Sequence, residues 1–146
     1  MRTVLLAAAL FMLSSADVSA APLDEAISGT HRSAENRSRD AYRHPVETLE
    51  FFGFRPDMTV VELWPGGGWY TEILAPYLKE QGKLIAAHYD ANDQQASYRP
   101  GSRKRFEEKM AAESAVYGKV DVTSLMFDEK AGTLAIPAAG EGTVDR

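Results

Sequence analysis

A short apolar segment that runs into three consecutive glycines constrains this chain more than any other feature. Residues 58–63 (Met-Thr-Val-Val-Glu-Leu) are rich in β-branched side chains, which predicts a strand buried on both faces. Trp64 and Pro65 then lead into Gly66 to Gly68, and apolar residues at helical spacing follow over residues 69–78. A strand, a glycine turn and a helix in this order bring backbone amides and a helix N-terminus to the carboxyl end of a strand, where nucleotide-like ligands bind.

The segments around the glycine turn alternate between helix and strand. Before the turn, we predict a solvated lead-in over residues 23–43 and a helix between Pro45 and Gly53. After it, we predict a strand over residues 83–89, a polar loop over residues 90–101 and a helix capped by Ser102 and ended by Gly118. A strand over residues 119–127 follows, and then a strand-like piece at residues 134–136 that Pro137 cuts short. This alternation predicts an α/β fold with a parallel sheet.

The first twenty residues have the pattern of an export signal. Arg2 precedes an apolar run from Val4 to Leu13, and small residues ending at Ala20 follow. That run is too short for a bilayer core, which needs about 20 apolar residues. We therefore predict a cleaved signal peptide over residues 1–20, a periplasmic location and no permanent membrane anchor.

Charge and composition exclude several function classes. The chain has no cysteine, so thiol catalysis and cysteine-ligated metal are excluded. Its 16 basic and 21 acidic residues give a net charge of −5, which disfavours a nucleic-acid binder. The histidines, at positions 31, 44 and 88, are too scattered to predict a metal site.

The spacing of the glycines separates two cofactor classes. The dinucleotide fingerprint G-x-G-x-x-G needs a glycine where this chain has Thr71. Instead, Glu62 is followed by glycines four and six positions on, which matches the S-adenosylmethionine pattern. A polar residue at the end of the second strand binds ribose hydroxyls in such sites, and both His88 and Asp90 are suitably placed. From spacing alone, a tight connection without a ligand remains the alternative.

At these residues the sequence resembles a known family. The motif resembles motif I of class I S-adenosylmethionine-dependent methyltransferases and, more narrowly, a group of exported bacterial predicted methyltransferases; it reads Glu62-x-Trp64-Pro65-Gly66-Gly67-Gly68-Trp69-Tyr70-Thr71, with His31 to Arg37 and Arg43 to Pro45 upstream. The likeness runs from about residue 29 to the end of the sequence. It implies a Rossmann-like fold, S-adenosylmethionine as cofactor and methyl transfer to an acceptor that the motif does not identify.

The resemblance also implies roles for single residues. Glu62 would lie near the methionyl amino group, the three glycines Gly66, Gly67 and Gly68 would line the cofactor, and His88 or Asp90 would face the ribose. Trp64 stands where most members have the first glycine of the motif. Its bulk would either crowd the methionine end of the cofactor or lie against the sulfonium. A cation–π contact to the ring of Trp64, Trp69 or Tyr70 is worth about 0.5 to 2 kcal/mol. No residue is identified as the catalytic base.

Only three strands of the superfamily sheet, in the order 3-2-1, are predicted before the sequence ends, and residues 142–146 resemble the approach to a fourth. We therefore expect residues 21–57 to form a helical lead-in and residues 58–146 to form the N-terminal half of a truncated methyltransferase domain. The arginines between positions 32 and 43 are expected to be solvated, or else to cover the cofactor or an anionic substrate. The alternative function is an exported, non-catalytic small-molecule-binding or scaffold protein on the same fold.

Overall fold

The structure, a computed structural model, describes residues 21–128, 130, 132–140 and 144–145. The predicted signal peptide lies outside the described residues. The helices are α1 (Ala21–Ser28), α2 (Ala34–Ser38), α3 (Asp40–Arg43), α4 (Pro45–Phe51), α5 (Thr71–Leu78), α6 (Tyr98–Ala112) and α7 (Ser114–Tyr117). The strands are β1 (Thr59–Leu63), β2 (Lys83–His88), β3 (Asp121–Ser124), β4 (Met126–Asp128) and β5 (Thr133–Ala135).

Strands β1, β2 and β3 form a parallel sheet in that order, which confirms the predicted α/β class and strand order. Val61 of β1 pairs with Ile85 of β2, which in turn pairs with Asp121 of β3. Parallel neighbours need a crossover connection, and α5 joins β1 to β2 while α6 and α7 join β2 to β3. All three strands therefore end at the same edge of the sheet.

The helices pack against one face of this sheet. Val60 of β1 and Leu84 and Ala86 of β2 alternate along their strands and share one core. Their partners in that core come from α1, α4, α5, α6 and α7: Leu23, Ala26, Leu49, Ile73, Leu74, Leu78, Phe106, Met110 and Tyr117. The prediction that β1 is buried on both faces is wrong, because Val61 is only half-buried and Leu63 is 50% exposed.

The N-terminal segment is not a solvated lead-in. Helix α1 packs on α5, and its Leu23 and Ala26 belong to the core. The Arg32 side chain is completely buried and forms a two-point ion pair with Asp40, with N–O distances of 2.6 and 2.8 Å. A buried arginine persists only when acidic partners neutralise it. The fold brings these partners together. The sequence does not show this pairing, so residue type alone predicted that the arginine would be solvated.

Two elements begin or end away from their predicted positions. Helix α6 starts at Tyr98 rather than after Ser102, since Pro100 falls in the first turn, where a missing amide hydrogen costs nothing. The predicted third strand divides after Ser124, and β4 leaves the parallel sheet to form an antiparallel hairpin with β5, in which Phe127 pairs with Leu134.

Asp145 lies against the outer edge of β1, on the side away from β2. Its N–H donates to the Thr59 carbonyl at 2.8 Å, and the Thr59 N–H donates to its carboxylate at 2.8 Å.

Within the residues that the structure describes, no helix is both long and apolar enough to cross a bilayer.

Gly82 is required by a close backbone approach before β2. A Cβ atom there would lie 2.5 Å from the Met58 carbonyl oxygen and 2.6 Å from that of Pro56. We expect Gly82→Ala to lower the free energy of unfolding by about 1 to 3 kcal/mol, as overpacking does. The matched control is Gly101→Ala in α6, which meets only the end of Arg105 and should be neutral or stabilising. Urea denaturation measures both, and equal midpoints for the two variants would contradict this account.

Candidate functional site

A cleft of about 670 Å³ opens where the three parallel strands end. Polar residues from the loop after β2, among them Asp90 and Asn92, form one wall. Apolar residues of the β4–β5 hairpin, among them Phe127 and Leu134, form the other. Trp64 also lines the cleft. One wall can therefore hydrogen-bond a ligand while the other covers its apolar surface.

The Asp90 carboxylate is oriented by its own loop and by β3. One oxygen accepts the Asn92 N–H at 2.7 Å, and the other accepts the Ser124 hydroxyl at 3.2 Å. An ionised carboxylate has about four acceptor positions, so two remain for ligand hydroxyls.

His88 lies beneath the cleft and not in it. Its ring is fully buried against Phe106, with ring centroids 5.4 Å apart. Nδ1 accepts the Tyr89 N–H at 2.7 Å, while Nε2 is buried and has no hydrogen-bond partner among the described residues. Burial and, secondly, the nearby Arg103 charge lower the pKa of His88, so the ring is neutral. Of the two residues that the sequence left open for the ribose, only Asp90 has its side chain at the cleft.

The glycine turn follows Trp64 and Pro65, and two of its glycines have a left-handed backbone. Gly66 and Gly68 have φ of +57° and +82°, and the Gly68 N–H donates to the Pro65 carbonyl at 2.8 Å. A Cβ on Gly67 would meet nothing within 4 Å, and one on Gly66 only the Trp64 carbonyl at 3.9 Å. Within the described part of the chain, the amides of Gly66 and Gly67 donate to no protein acceptor. Packing does not explain these two glycines, but two free amides suit an anionic group.

Trp64 has a left-handed backbone, with φ of +48°, which is an outlier for a bulky residue. Its N–H donates to the Ala87 carbonyl at 2.9 Å, so β1 pairing continues up to this residue. The side chain is 57% exposed and lies beside Tyr89, with ring centroids 6.5 Å apart. Trp64 therefore has a glycine-like backbone, yet presents a large aromatic ring to the cleft.

Trp69, the other candidate tryptophan, belongs to the core. Its side chain is buried, and its indole N–H donates to the Asn36 carbonyl at 2.9 Å and to Asp40 at 3.1 Å. The Arg43 guanidinium lies 4.8 Å from the ring centroid. Trp69 thus connects the glycine turn to the N-terminal segment and does not line the cleft.

Glu62 is separated from the cleft. Its carboxylate accepts the Thr71 hydroxyl at 2.6 Å and lies in a second groove, of about 290 Å³, with apolar residues such as Leu49 and Leu74. Burial raises the pKa of Glu62 to about 7, although the hydrogen bonds from Thr71 and the charge of Lys109 act in the opposite direction. At neutral pH its charge state is therefore sensitive to any cation that approaches.

Sequence reasoning missed an aromatic and ionic cluster on the polar wall. Tyr89 packs edge-on against Tyr98 at 5.9 Å, and the Arg99 guanidinium lies 5.3 Å from the Tyr89 ring. Arg99 also donates to Asp93 at 3.0 Å. Residues 98–99 fall inside the predicted loop, and no local pattern marks them as part of a site.

Among the described residues, no group of three or more His, Asp or Glu side chains is arranged to hold a metal ion. Comparison with known proteins finds no matching family model, no matching curated protein and no matching solved structure.

The strained backbone of Trp64 predicts that glycine is more stable than alanine at this position, the reverse of the usual order. We expect Trp64→Gly to be more stable than Trp64→Ala by about 1 to 2 kcal/mol, because only glycine adopts this conformation without cost. At the neighbouring Leu63, an ordinary strand position, Leu63→Ala should instead be more stable than Leu63→Gly by about 0.5 to 1 kcal/mol. Denaturant unfolding of the four variants measures this, and the same order at both positions would contradict the strain.

The raised pKa of Glu62 predicts that this residue destabilises the fold as pH rises. An unfolded carboxyl ionises near 4.5, whereas Glu62 in the fold does so near 7. The protonated form therefore favours the folded state, and this contribution is lost between those two values. Relative to Glu62→Gln, the wild type should lose up to about 3 kcal/mol between pH 5 and 8. Parallel curves of unfolding free energy against pH for the two proteins would rule this out.

Proposed function

We propose that this chain binds S-adenosylmethionine in the cleft and forms the cofactor-binding part of a methyltransferase. One observation carries the proposal. The Asp90 carboxylate and the exposed Trp64 ring line one cleft where parallel strands in the order β1-β2-β3 end, and the free amides of Gly66 and Gly67 come two and three residues after Trp64. Ligands of α/β sheets bind at such an edge.

The residues present fit the chemistry of this cofactor. The free lone pairs of Asp90 suit the two ribose hydroxyls, and the amides of Gly66 and Gly67 suit the methionyl carboxylate. The apolar hairpin wall, with Phe127 and Leu134, suits the adenine ring. The resemblance named His88 as the other residue for the ribose, but its side chain is buried beneath the cleft and is not proposed for this role.

Bound S-adenosylmethionine supplies an electrophilic methyl group on a positively charged sulfur. The protein's part is to hold that sulfur in line with an acceptor and to exclude water from it. The exposed face of Trp64 provides cation–π attraction to the sulfonium. The resemblance implies Glu62 for the amino group, but its carboxylate lies in the second groove and accepts the Thr71 hydroxyl, so it is not proposed to contact the cofactor.

Calorimetric titration of the purified chain with S-adenosylmethionine tests the proposal. We expect Asp90→Asn to weaken binding by roughly tenfold or more, because a charged acceptor is lost. Gly67→Asp should abolish binding without loss of stability, since its side chain enters open space but repels the cofactor's carboxylate. The matched control is Asp121→Asn, at the opposite end of the sheet, which should bind as the wild type does. A folded wild-type protein that does not bind would overturn the proposal.

Transfer of a labelled methyl group separates an enzyme from a non-catalytic binding protein. Label from S-adenosylmethionine should appear in a component of a periplasmic extract when the protein is present. Binding without transfer would favour the non-catalytic alternative.

A further inference from the structure

We infer that Lys109 and Glu72 are positioning residues, which hold the glycine turn in the conformation that binds the ligand. The inference rests on the proposed function of the turn. The observation behind it is one ammonium group shared between two partners. Lys109 of α6 donates to the Gly67 carbonyl at 2.7 Å and to the Glu72 carboxylate at 2.6 Å.

The turn needs an external support because it has no side chains of its own. Three successive glycines have far more backbone freedom than other residues, and fixing them at binding would weaken affinity. The peptide group between Gly67 and Gly68 is held at both ends in the structure. Its carbonyl accepts from Lys109, and its N–H donates to Pro65. This leaves the two preceding amides facing away from protein acceptors.

An exposed lysine would be a poor support, but Lys109 is held in place by a buried charge. The Glu72 side chain is completely buried in the first turn of α5. Its other oxygen accepts the Ser33 N–H at 3.3 Å and lies 3.8 Å from Nε of Arg32. A buried carboxylate strongly resists the loss of a cationic partner. The lysine therefore remains at Glu72, and its contact with Gly67 is maintained.

The same charges continue into the N-terminal segment. Arg32, also completely buried, pairs with both Asp40 and Glu72. Acidic and basic groups thus alternate from Asp40 through Arg32 and Glu72 to Lys109, and this array ends on the Gly67 carbonyl. The upstream motif at residues 31–37 acquires a role by this route: it stabilises the carboxylate that holds the lysine.

The test compares four variants by two measurements. The variants are Lys109→Met, Lys109→Arg, the double variant Glu72→Gln with Lys109→Met, and the control Lys104→Met. Lys104 lies on the same helix but is exposed, 3.8 Å from Glu108. The first measurement is amide hydrogen exchange without ligand, at Gly68 in the turn and at Ala86 in the central strand. The second is the dissociation constant for S-adenosylmethionine.

Lys109→Met should raise the ratio of the exchange rate at Gly68 to that at Ala86 by roughly tenfold, as loss of a charge-assisted hydrogen bond does. It should also raise the dissociation constant by a similar factor. Lys109→Arg should restore much of both, and Lys104→Met should change neither. The double variant leaves no buried unpaired charge. It should therefore recover wild-type exchange at Ala86, while Gly68 exchange stays fast and binding stays weak.

A purely structural role gives a different result. If the double variant recovers slow exchange at Gly68, or if Gly68 and Ala86 accelerate equally in Lys109→Met, the inference is wrong. Failure of the wild type to bind S-adenosylmethionine would reject the proposed function alone. The exchange measurement needs no ligand, so it would still decide whether Lys109 and Glu72 hold the turn.

Discussion

The rest of the structure depends on the interactions of one buried group, the Glu72 carboxylate. It joins three parts of the chain: Arg32 and Ser33 from the N-terminal segment, α5 itself, and Lys109 from α6. Removing one partner of a buried ion pair costs about 3 to 5 kcal/mol, far more than a surface pair contributes. The segment before β1 is therefore an integral part of the fold around the glycine turn.

The candidate site depends on this arrangement, because the turn cannot define its own shape. Packing requires neither Gly66 nor Gly67, although Gly66 has a left-handed backbone that favours glycine, and in the proposed function their free amides face a ligand. Trp64 keeps a left-handed backbone although it is not a glycine, and it places its ring at the same cleft. Strain of this kind persists where the surroundings hold it and function uses it. Lys109 and the Pro65 carbonyl hold the peptide group between Gly67 and Gly68, whereas the amides of Gly66 and Gly67 have no protein acceptor among the described residues.

Local patterns were sufficient for the parts of the fold that local forces decide. The β-branched residues of β1, the three glycines and the apolar spacing of α5 predicted the first crossover unit, and the alternation of elements predicted a parallel sheet, while the strand order followed from the family resemblance. The limits of α6 and the hairpin of β4 and β5 were missed. A proline in the first turn and a strand that changes its pairing partner leave little trace in residue type.

By itself, the sequence determined the α/β class, the position of the glycine turn and the candidate residues around it, because periodicity and glycine conformation act over a few neighbouring residues. Only the tertiary structure decided which candidates meet. It separated Asp90, at the cleft, from His88, buried two residues earlier, and it showed Arg32 buried where an arginine-rich segment suggested solvent. Burial and charge pairing depend on residues far apart in the chain, such as Arg32 with Glu72, so no local pattern reveals them.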